Sequence, residues 1–317
     1  MGSIVVIALA AAAASALLAA GVAAGSVLAV PLFYLAPLPV MLAGIAFSPI
    51  AALIAAVLAS VGLGLVFSGT FLITYAVGMG APAFALSYAA LLARPDPDAP
   101  ERLAWFPVGN LLVLSAGFSS FAVWMALFAM ASDYETYRAA VTTAFEALVG
   151  AEHGAAPASP HDPQAMAELI AHVLPPMAAL LTMVSQLGCL YLAGRAARIS
   201  DRLRRPWPVL AAVRLPRITG FLLAGALLLT LPGGMLGLAA SAVGATLILA
   251  YALTGFAVVH AITRGSNARF LILSGLWLTA LVLGWPVLVM AVLGFADALF
   301  DFRSRIGTGQ APPAADR

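Results

Sequence analysis

Three polar side chains could bind a ligand inside the apolar part of this chain, namely Tyr34, Asn110 and Gln186. Each lies in a stretch apolar enough to cross a lipid bilayer, where a polar group must find a hydrogen-bond partner. Tyr34 lies between Pro31 and Pro37, so its helix is expected to break and to expose backbone carbonyls. Two interpretations stay open. These groups either join neighbouring helices by hydrogen bonds or line a site for a small polar solute.

The depths of these candidates differ. Asn110 is expected about one helical turn inside the membrane interface, and Gln186 near the middle of the bilayer. They would therefore line one path through the membrane rather than one pocket.

A second candidate is the basic segment 195–217, which holds seven Arg and one Asp. Arg202, Arg204 and Arg205 at its centre could contact anionic lipid or a protein partner. The alternative is that the segment only sets the topology, since short Arg-rich loops stay on the cytoplasmic side of a membrane.

No pattern of residues predicts catalysis or a bound cofactor. The chain has no Lys, which excludes a P-loop, and it has no H-E-x-x-H, G-x-S-x-G or C-x-x-C motif. Two sets of residues could hold a metal ion. Prolines separate Asp96, Asp98 and Glu101, which predicts a solvated loop instead of a metal site. The second set shows no ligand spacing and consists of Glu152, His153, His161, Asp162 and His172. We therefore expect no enzyme activity, no catalytic residue, no metal, no cofactor and no nucleic-acid partner. The single cysteine, Cys189, is expected to be a buried thiol.

The elements that position these groups are predicted to be membrane helices. From Met1 to Ala93 the chain has no Asp, Glu, Lys, Arg or His. A soluble domain needs surface charge, whereas a charge at the bilayer centre costs about 2.5–3.5 kcal/mol. The whole chain is 63% hydrophobic and 9% charged, against about 25% charged in an average soluble protein. The predicted fold class is all-α, a polytopic transmembrane helix bundle whose main partner is the lipid bilayer.

About ten spans are predicted, because about 20 apolar residues cross the hydrocarbon core and Gly, Pro, Ser or charged residues separate such stretches. The expected spans are 4–24, 27–46, 49–67, 70–93, 105–131, 175–193, 218–232, 235–262 and two short helices within 270–300. With ten spans, every Arg except Arg138 lies on one side, whereas nine spans would separate Arg303, Arg305 and Arg317 from the rest. The positive-inside rule therefore predicts ten spans in a bacterial inner (cytoplasmic) membrane, with both termini in the cytoplasm.

This count divides the chain into four regions. Residues 1–131 hold helices one to five, 132–172 form an extracytoplasmic loop, 173–302 hold helices six to ten, and 303–317 are a disordered cytoplasmic tail. In the loop, apolar residues from Tyr134 to Leu148 recur every three or four positions and predict an amphipathic helix over about 133–149. That helix is expected either to lie on the membrane or to pack on its neighbours. A flexible stretch over 150–160 and a second short helix from Asp162-Pro163 should follow.

Four stretches carry a resemblance to a known family: LAVPLFYLAPLPVMLAG (28–44), WFPVGNLL (105–112), LTGFAVVHAI (253–262) and LGFADALFDFRSR (293–305). In order and overall pattern the chain resembles the YybS-like polytopic membrane proteins, a family of unknown function. That family is placed loosely with the substrate-binding S components of energy-coupling-factor transporters and with MreD-like envelope proteins. The resemblance implies a membrane protein without established activity and supplies no catalytic residues.

Two function classes follow. The first is a subunit that binds or transports a small solute, working with a separate energising partner because the chain has no nucleotide site. The second is a scaffold of the cell envelope that contacts a membrane or cytoplasmic protein. A polar cavity at the bilayer midplane would favour the first, and a dry, tightly packed bundle the second.

Overall fold

The computed structural model describes residues 2–24, 29–97, 99–153 and 163–303, and these are mostly helical. The α-helices are α1 (Gly2–Ala20), α2 (Ala29–Tyr34), α3 (Pro37–Ala46), α4 (Pro49–Val66), α5 (Gly69–Tyr75), α6 (Ala81–Ala90), α7 (Val108–Met130), α8 (Tyr134–His153), α9 (Pro163–Ile199), α10 (Ile218–Thr230), α11 (Gly234–Ile262), α12 (Arg269–Leu283) and α13 (Pro286–Phe300). Short 3-10 turns cover Gly21–Ala24 and Leu210–Ala212, a π-helical turn covers Ala76–Gly80, and two strands are β1 (Ala93–Asp96) and β2 (Ala99–Trp105).

Seven helical segments in this part of the chain are long and apolar enough to cross a membrane. They are Gly2–Ala20, Ala29–Ala46, Pro49–Val66, Gly69–Ala90, Val108–Met130, Ala165–Ile199 and Gly234–Ile262. The apolar helices α10, α12 and α13 are shorter, at 13, 15 and 15 residues. The chain is thus an all-α membrane protein, as predicted, and the three short helices account for the difference between seven spans and ten.

The predicted breaks lie where Ser, Pro and Gly were expected to stop a helix. The hydroxyl of Ser48 caps α4 by accepting the N–H of Ile50 at 3.2 Å, and Pro49 follows as the first helical residue. Gly284 ends α12 with a φ of 73°, which a residue with a side chain rarely adopts, and Pro286 begins α13.

The charged segment after α6 differs from the solvated loop that its sequence predicts. Strands β1 and β2 form an antiparallel hairpin, with Arg94 opposite Ala104 and Pro95 opposite Leu103. Two prolines and several charges obscure the strand pattern in the sequence. The hairpin closes where the N–H of Phe106 donates to the carbonyl of Leu92 at 2.9 Å.

Helix α9 begins well before Pro175-Pro176, where the sixth span was expected to start, and continues through both prolines. Pro175 has no N–H to donate to Ala171, and the hydroxyl of Tyr137 donates to that carbonyl at 2.9 Å instead. Residues 163–199 are therefore one helix, so no separate short helix follows Asp162.

Helix α8 has the apolar stripe that its spacing predicts, and this stripe packs on α9. Tyr137 is 1% exposed and Val141 6% exposed. Asp133 caps the helix, because its carboxylate accepts the N–H of Thr136 at 2.9 Å and the Thr136 hydroxyl at 2.8 Å. The helix continues to His153, and most of the stretch predicted to be flexible lies outside the described residues.

Glycines let α11 and α13 approach each other closely. A Cβ at Gly255 would lie 1.9 Å from the carbonyl oxygen of Met290, and one at Gly294 would lie 2.0 Å from that of Tyr251. Small residues at a helix crossing are typical of membrane bundles, where close packing replaces the hydrophobic driving force. Helix α11 is the most buried of the candidate spans, so it lies at the centre of the second half of the bundle.

Candidate functional site

The break at Tyr34 frees a backbone carbonyl, as predicted, and α9 supplies its partners. The N–H of Leu38 donates to Leu35 rather than to Tyr34. The hydroxyl of Ser185 donates to the Tyr34 carbonyl, and the thiol of Cys189 lies 3.5 Å from the same oxygen. Side chains of the protein thus satisfy the carbonyl that the break leaves free. Cys189 is buried, as its apolar surroundings predict.

A second carbonyl at the same break is satisfied from α1. The hydroxyl of Ser15 donates to the carbonyl of Ala36, and the hydroxyl of Tyr75 lies 2.5 Å from Ser15. Because a serine hydroxyl carries one proton, Tyr75 is the donor in this second bond. Ser15 is fully buried and Tyr75 is 1% exposed, so these groups fix the break in a dry environment.

Gln186 lies inside the bundle between α9 and α7. Its side chain is fully buried, and its Oε1 accepts the hydroxyl of Ser115 at 2.9 Å. In the described part of the chain, the Nε2 of Gln186 and the hydroxyl of Ser119 have no hydrogen-bond partner. Gln186 therefore joins two helices and keeps unused donor capacity at a buried position.

Asn110 lies apart from this interior, in the first turn of α7. It is half-buried and lines two grooves on the outside of the bundle. Neither groove is lined by Tyr34 or Gln186. The carbonyl of Tyr34 thus contacts α9, the helix that carries Gln186, whereas Asn110 lies on a different surface. A role for the three side chains together in solute binding stays a prediction.

The basic segment 195–217 is folded against the ends of the helices. The guanidinium of Arg205 donates to the carbonyl of Ala90 at 3.0 Å, and burial lowers the pKa of Arg205. Arg202 packs on the ring of Phe47 at 4.5 Å, whereas Arg204 is exposed. Of the three predicted contact residues, Arg205 is thus a partly buried anchor. Arg204 is accessible, and so is Arg202 despite its contact with Phe47.

A buried ion pair holds the other end of the same segment. Asp297 and Arg303 are 3% and 7% exposed, and their closest charged atoms lie 2.7 Å apart. The Nη1 of Arg303 also donates to the carbonyls of Ala211 at 2.9 Å and Val213 at 2.8 Å. We call this set the C-terminal clamp. Arg303 was assigned to the disordered tail, yet it is packed, and residues 304–317 lie outside the described residues.

The clamp was missed by sequence reasoning, although one signal was present. Asp297 lies in an apolar stretch where a lone carboxylate would be costly, and Arg303 follows six residues later. A carboxylate near the end of an apolar helix with an Arg just beyond it indicates a pair.

The bundle has a side that carries the hairpin of β1 and β2, segment 195–217 and the clamp, which we call the basic side. A Cβ at Gly109 would lie 1.7 Å from the carbonyl oxygen of Arg214, so the start of α7 touches the basic segment. The guanidinium of Arg269 donates to the carbonyl of His260 at 3.2 Å, which joins the ends of α11 and α12 at a short loop.

A family model described as "Predicted membrane protein (DUF2232)" matches residues 12–298. The chain belongs to this family. No curated protein and no solved structure matches it. The matched range includes the helix break at Tyr34, Gln186 and Asp297, whereas Arg303 lies just beyond its end.

The described residues contain no group of three His, Cys, Asp or Glu side chains that could hold a metal ion. His172 is engaged, since its ring lies 3.3 Å from the Tyr134 hydroxyl and 2.9 Å from the carbonyl of Glu168. The other possible ligands in the loop, Glu152, His153, His161 and Asp162, lie outside the described side chains.

Proposed function

We propose that this protein is a scaffold of the cytoplasmic membrane that binds a protein partner through its basic side. The observation that carries the proposal is the basic segment, which is held at both ends and still presents exposed Arg side chains. Arg205 fixes its first half to α6, and the clamp fixes its second half through Ala211 and Val213. A segment that only set the topology would not need such anchors.

The exposed side chains share one stretch of the surface. Trp207 packs on Tyr191 with a ring-centroid distance of 5.6 Å, and the guanidinium groups of Arg195 and Arg198 lie 5.8 Å and 5.3 Å from the Trp207 ring. These contacts restrain Arg195 and Arg198 while leaving them accessible. Together with Arg204, they form a basic surface that fits an acidic face on a partner.

The proposal includes ten spans with the basic side in the cytoplasm. The start of α12 is joined to the end of α11 by Arg269, and the end of α13 is joined by Arg303 to the segment before α10. Helices α12 and α13 therefore leave the basic side and return to it, which supports counting both as spans. The proposed location is a bacterial inner membrane, and the positive-inside rule supports cytoplasmic termini there.

The test is a photo-crosslinking amino acid at position 204 in the intact cell. A discrete protein adduct is expected there and should be lost when Arg195→Glu and Arg198→Glu reverse the neighbouring charges. Position 266 serves as the control, because Ser266 is exposed on the same side in another loop. Equal adducts at both positions, or an adduct that survives the charge reversal, would contradict a partner site on the basic segment.

Solute binding is the second candidate, and Gln186 favours it. Its Nε2 and the Ser119 hydroxyl are buried without partners among the described residues, and a small polar solute could accept hydrogen bonds from them. Such a role would fit the proposed relation to YybS-like proteins and S components, with a separate energising partner. Mass spectrometry of small molecules released from the purified protein tests it. Gln186→Leu should remove a bound solute, and Thr182→Val, a change on the same helix, should not.

A further inference from the structure

We propose that a groove along the outside of α7 binds one anionic phospholipid, with its phosphate at Arg94 and one acyl chain along Gly117. The proposal is independent of the scaffold role, because the groove follows α7 and only Pro216 of segment 195–217 lines it.

Three neighbouring hollows form the groove, and each shares residues with the next. The first has a volume of about 390 Å³, the second about 510 Å³ and the third about 530 Å³. Phe106 and Asn110 line the first and the second, and Val113, Gly117 and Phe121 line the second and the third. The groove is therefore continuous along α7 from the hairpin toward the opposite side of the membrane.

The first hollow is suited to a headgroup. It is lined by Arg94, Asn110 and Trp105, and an indole ring at this position is typical of the membrane interface. The Arg94 side chain makes no ion pair within the described residues. A guanidinium binds phosphate oxygens in a bidentate way, and the Asn110 amide can donate to another oxygen of the same group.

A second Arg adds to the positive charge at this end. Arg94 lies opposite Ala104 in the hairpin, and Arg102 precedes Ala104 by two residues on β2, with its side chain exposed. Both guanidinium groups therefore belong to the hairpin, at the end of the groove that carries the first hollow.

The second hollow is suited to an acyl chain. Apart from Asn110 at its mouth, it is lined by apolar residues and glycine, namely Phe106, Val113, Leu114, Gly117, Phe118, Phe121 and Pro216. From Asn110 to Phe121 α7 rises about 16 Å at 1.5 Å per residue. This rise matches one leaflet of a hydrocarbon core of about 30 Å.

The third hollow offers few free polar groups to a water-soluble ligand. Its two hydroxyls, Ser120 and Thr246, lie 3.0 Å from each other, and Thr246 also donates to the carbonyl of Val243. The indole N–H of Trp124 donates to the carbonyl of Ala239 at 2.8 Å. The groove thus combines a cationic mouth with an apolar channel, which fits a lipid rather than a polar solute.

The test is native mass spectrometry of the full chain in detergent, titrated with dioleoyl-phosphatidylglycerol or dioleoyl-phosphatidylcholine. One phosphatidylglycerol molecule should be retained at lower lipid concentration than any phosphatidylcholine. Arg94→Gln should lower that preference about fivefold, the equivalent of about 1 kcal/mol per basic residue near a charged surface. Adding Arg102→Gln to Arg94→Gln should lower the preference for phosphatidylglycerol further. Arg264→Gln, a change of an exposed Arg in another loop of the basic side, should leave it unchanged.

A second variant tests the channel and keeps the fold. Gly117→Phe fills the groove, and Gly188→Phe is its matched control on α9. A Cβ at either glycine meets no other atom within 4 Å, so neither change should disturb the packing. Gly117→Phe should lose the retained lipid, and Gly188→Phe should keep it. Equal retention of the two lipids by the unmodified chain, or equal behaviour of the two Phe variants, would overturn the proposal and leave only ordinary contact with the bilayer.

Discussion

The C-terminal clamp gives the sharpest prediction about stability. Arg303→Ala would remove the only charged partner that the described structure provides for Asp297, a carboxylate 3% exposed, and would also free the carbonyls of Ala211 and Val213. Removing one member of a buried pair costs about 3–5 kcal/mol, because the remaining charge stays buried without compensation. We expect a loss of that size in the free energy of unfolding.

The assay is unfolding of the purified protein in mixed micelles with increasing SDS, followed by far-UV circular dichroism. Arg214→Ala is the matched control, since the ion pair of Arg214 with Asp301 lies in the same region but is about half exposed. An exposed pair is worth about 0–1 kcal/mol. The double variant Asp297→Leu with Arg303→Met should recover most of the loss, because it removes both charges. If Arg303→Ala costs no more than Arg214→Ala, the clamp does not stabilise the fold and the reasoning is wrong.

Three further predictions concern the rest of the bundle. Gly255→Ala should destabilise the protein by about 1–3 kcal/mol, since its Cβ would overlap a backbone carbonyl of α13, whereas Gly275→Ala, at an open position on α12, should not; SDS unfolding compares them. Ser15→Ala should cost about 1–2 kcal/mol, because the carbonyl of Ala36 loses its side-chain donor, and the same measurement checks this. Hydrogen bonds to its carboxylate lower the pKa of Asp133, so its cap stabilises α8 above the unfolded pKa of about 4 and is lost as the pH falls through the lower folded value. The protection factor of the amides in the first turn of α8, which compares their exchange rate with the intrinsic rate at the same pH, should therefore fall in acid, and Asp133→Asn should abolish that pH dependence.

Most of the helices could be predicted from the sequence, because hydropathy and helix-breaking residues are local signals. The absence of charge from Met1 to Ala93 and the Pro and Gly residues at the breaks determine where helices start and stop. The path of α9 through Pro175 could not be predicted in this way. Its continuation depends on Tyr137, 38 residues earlier in the chain, which bonds the carbonyl that Pro175 leaves free.

The candidate site was predictable only in part. The break at Tyr34 was expected to need hydrogen-bond donors, but which donors reach it depends on the rotation and depth of other helices. Ser15 and Ser185 become its partners through contacts distant in sequence, which no local pattern encodes. Asn110 shows the same limit, since half a turn of helix separates a residue facing the interior from one facing lipid.

The clamp also constrains the order in which this protein can be completed during its synthesis. Arg303 follows Ala211 by 92 positions and Val213 by 90. At about 5–20 residues per second, a ribosome needs roughly 5–18 s to add that much chain. Throughout this interval the basic segment lacks its final hydrogen bonds, although the helices before it have already been made. A residue made after α13 therefore fixes a segment made long before it, and a chain truncated after α13 should insert fully and still lack these hydrogen bonds.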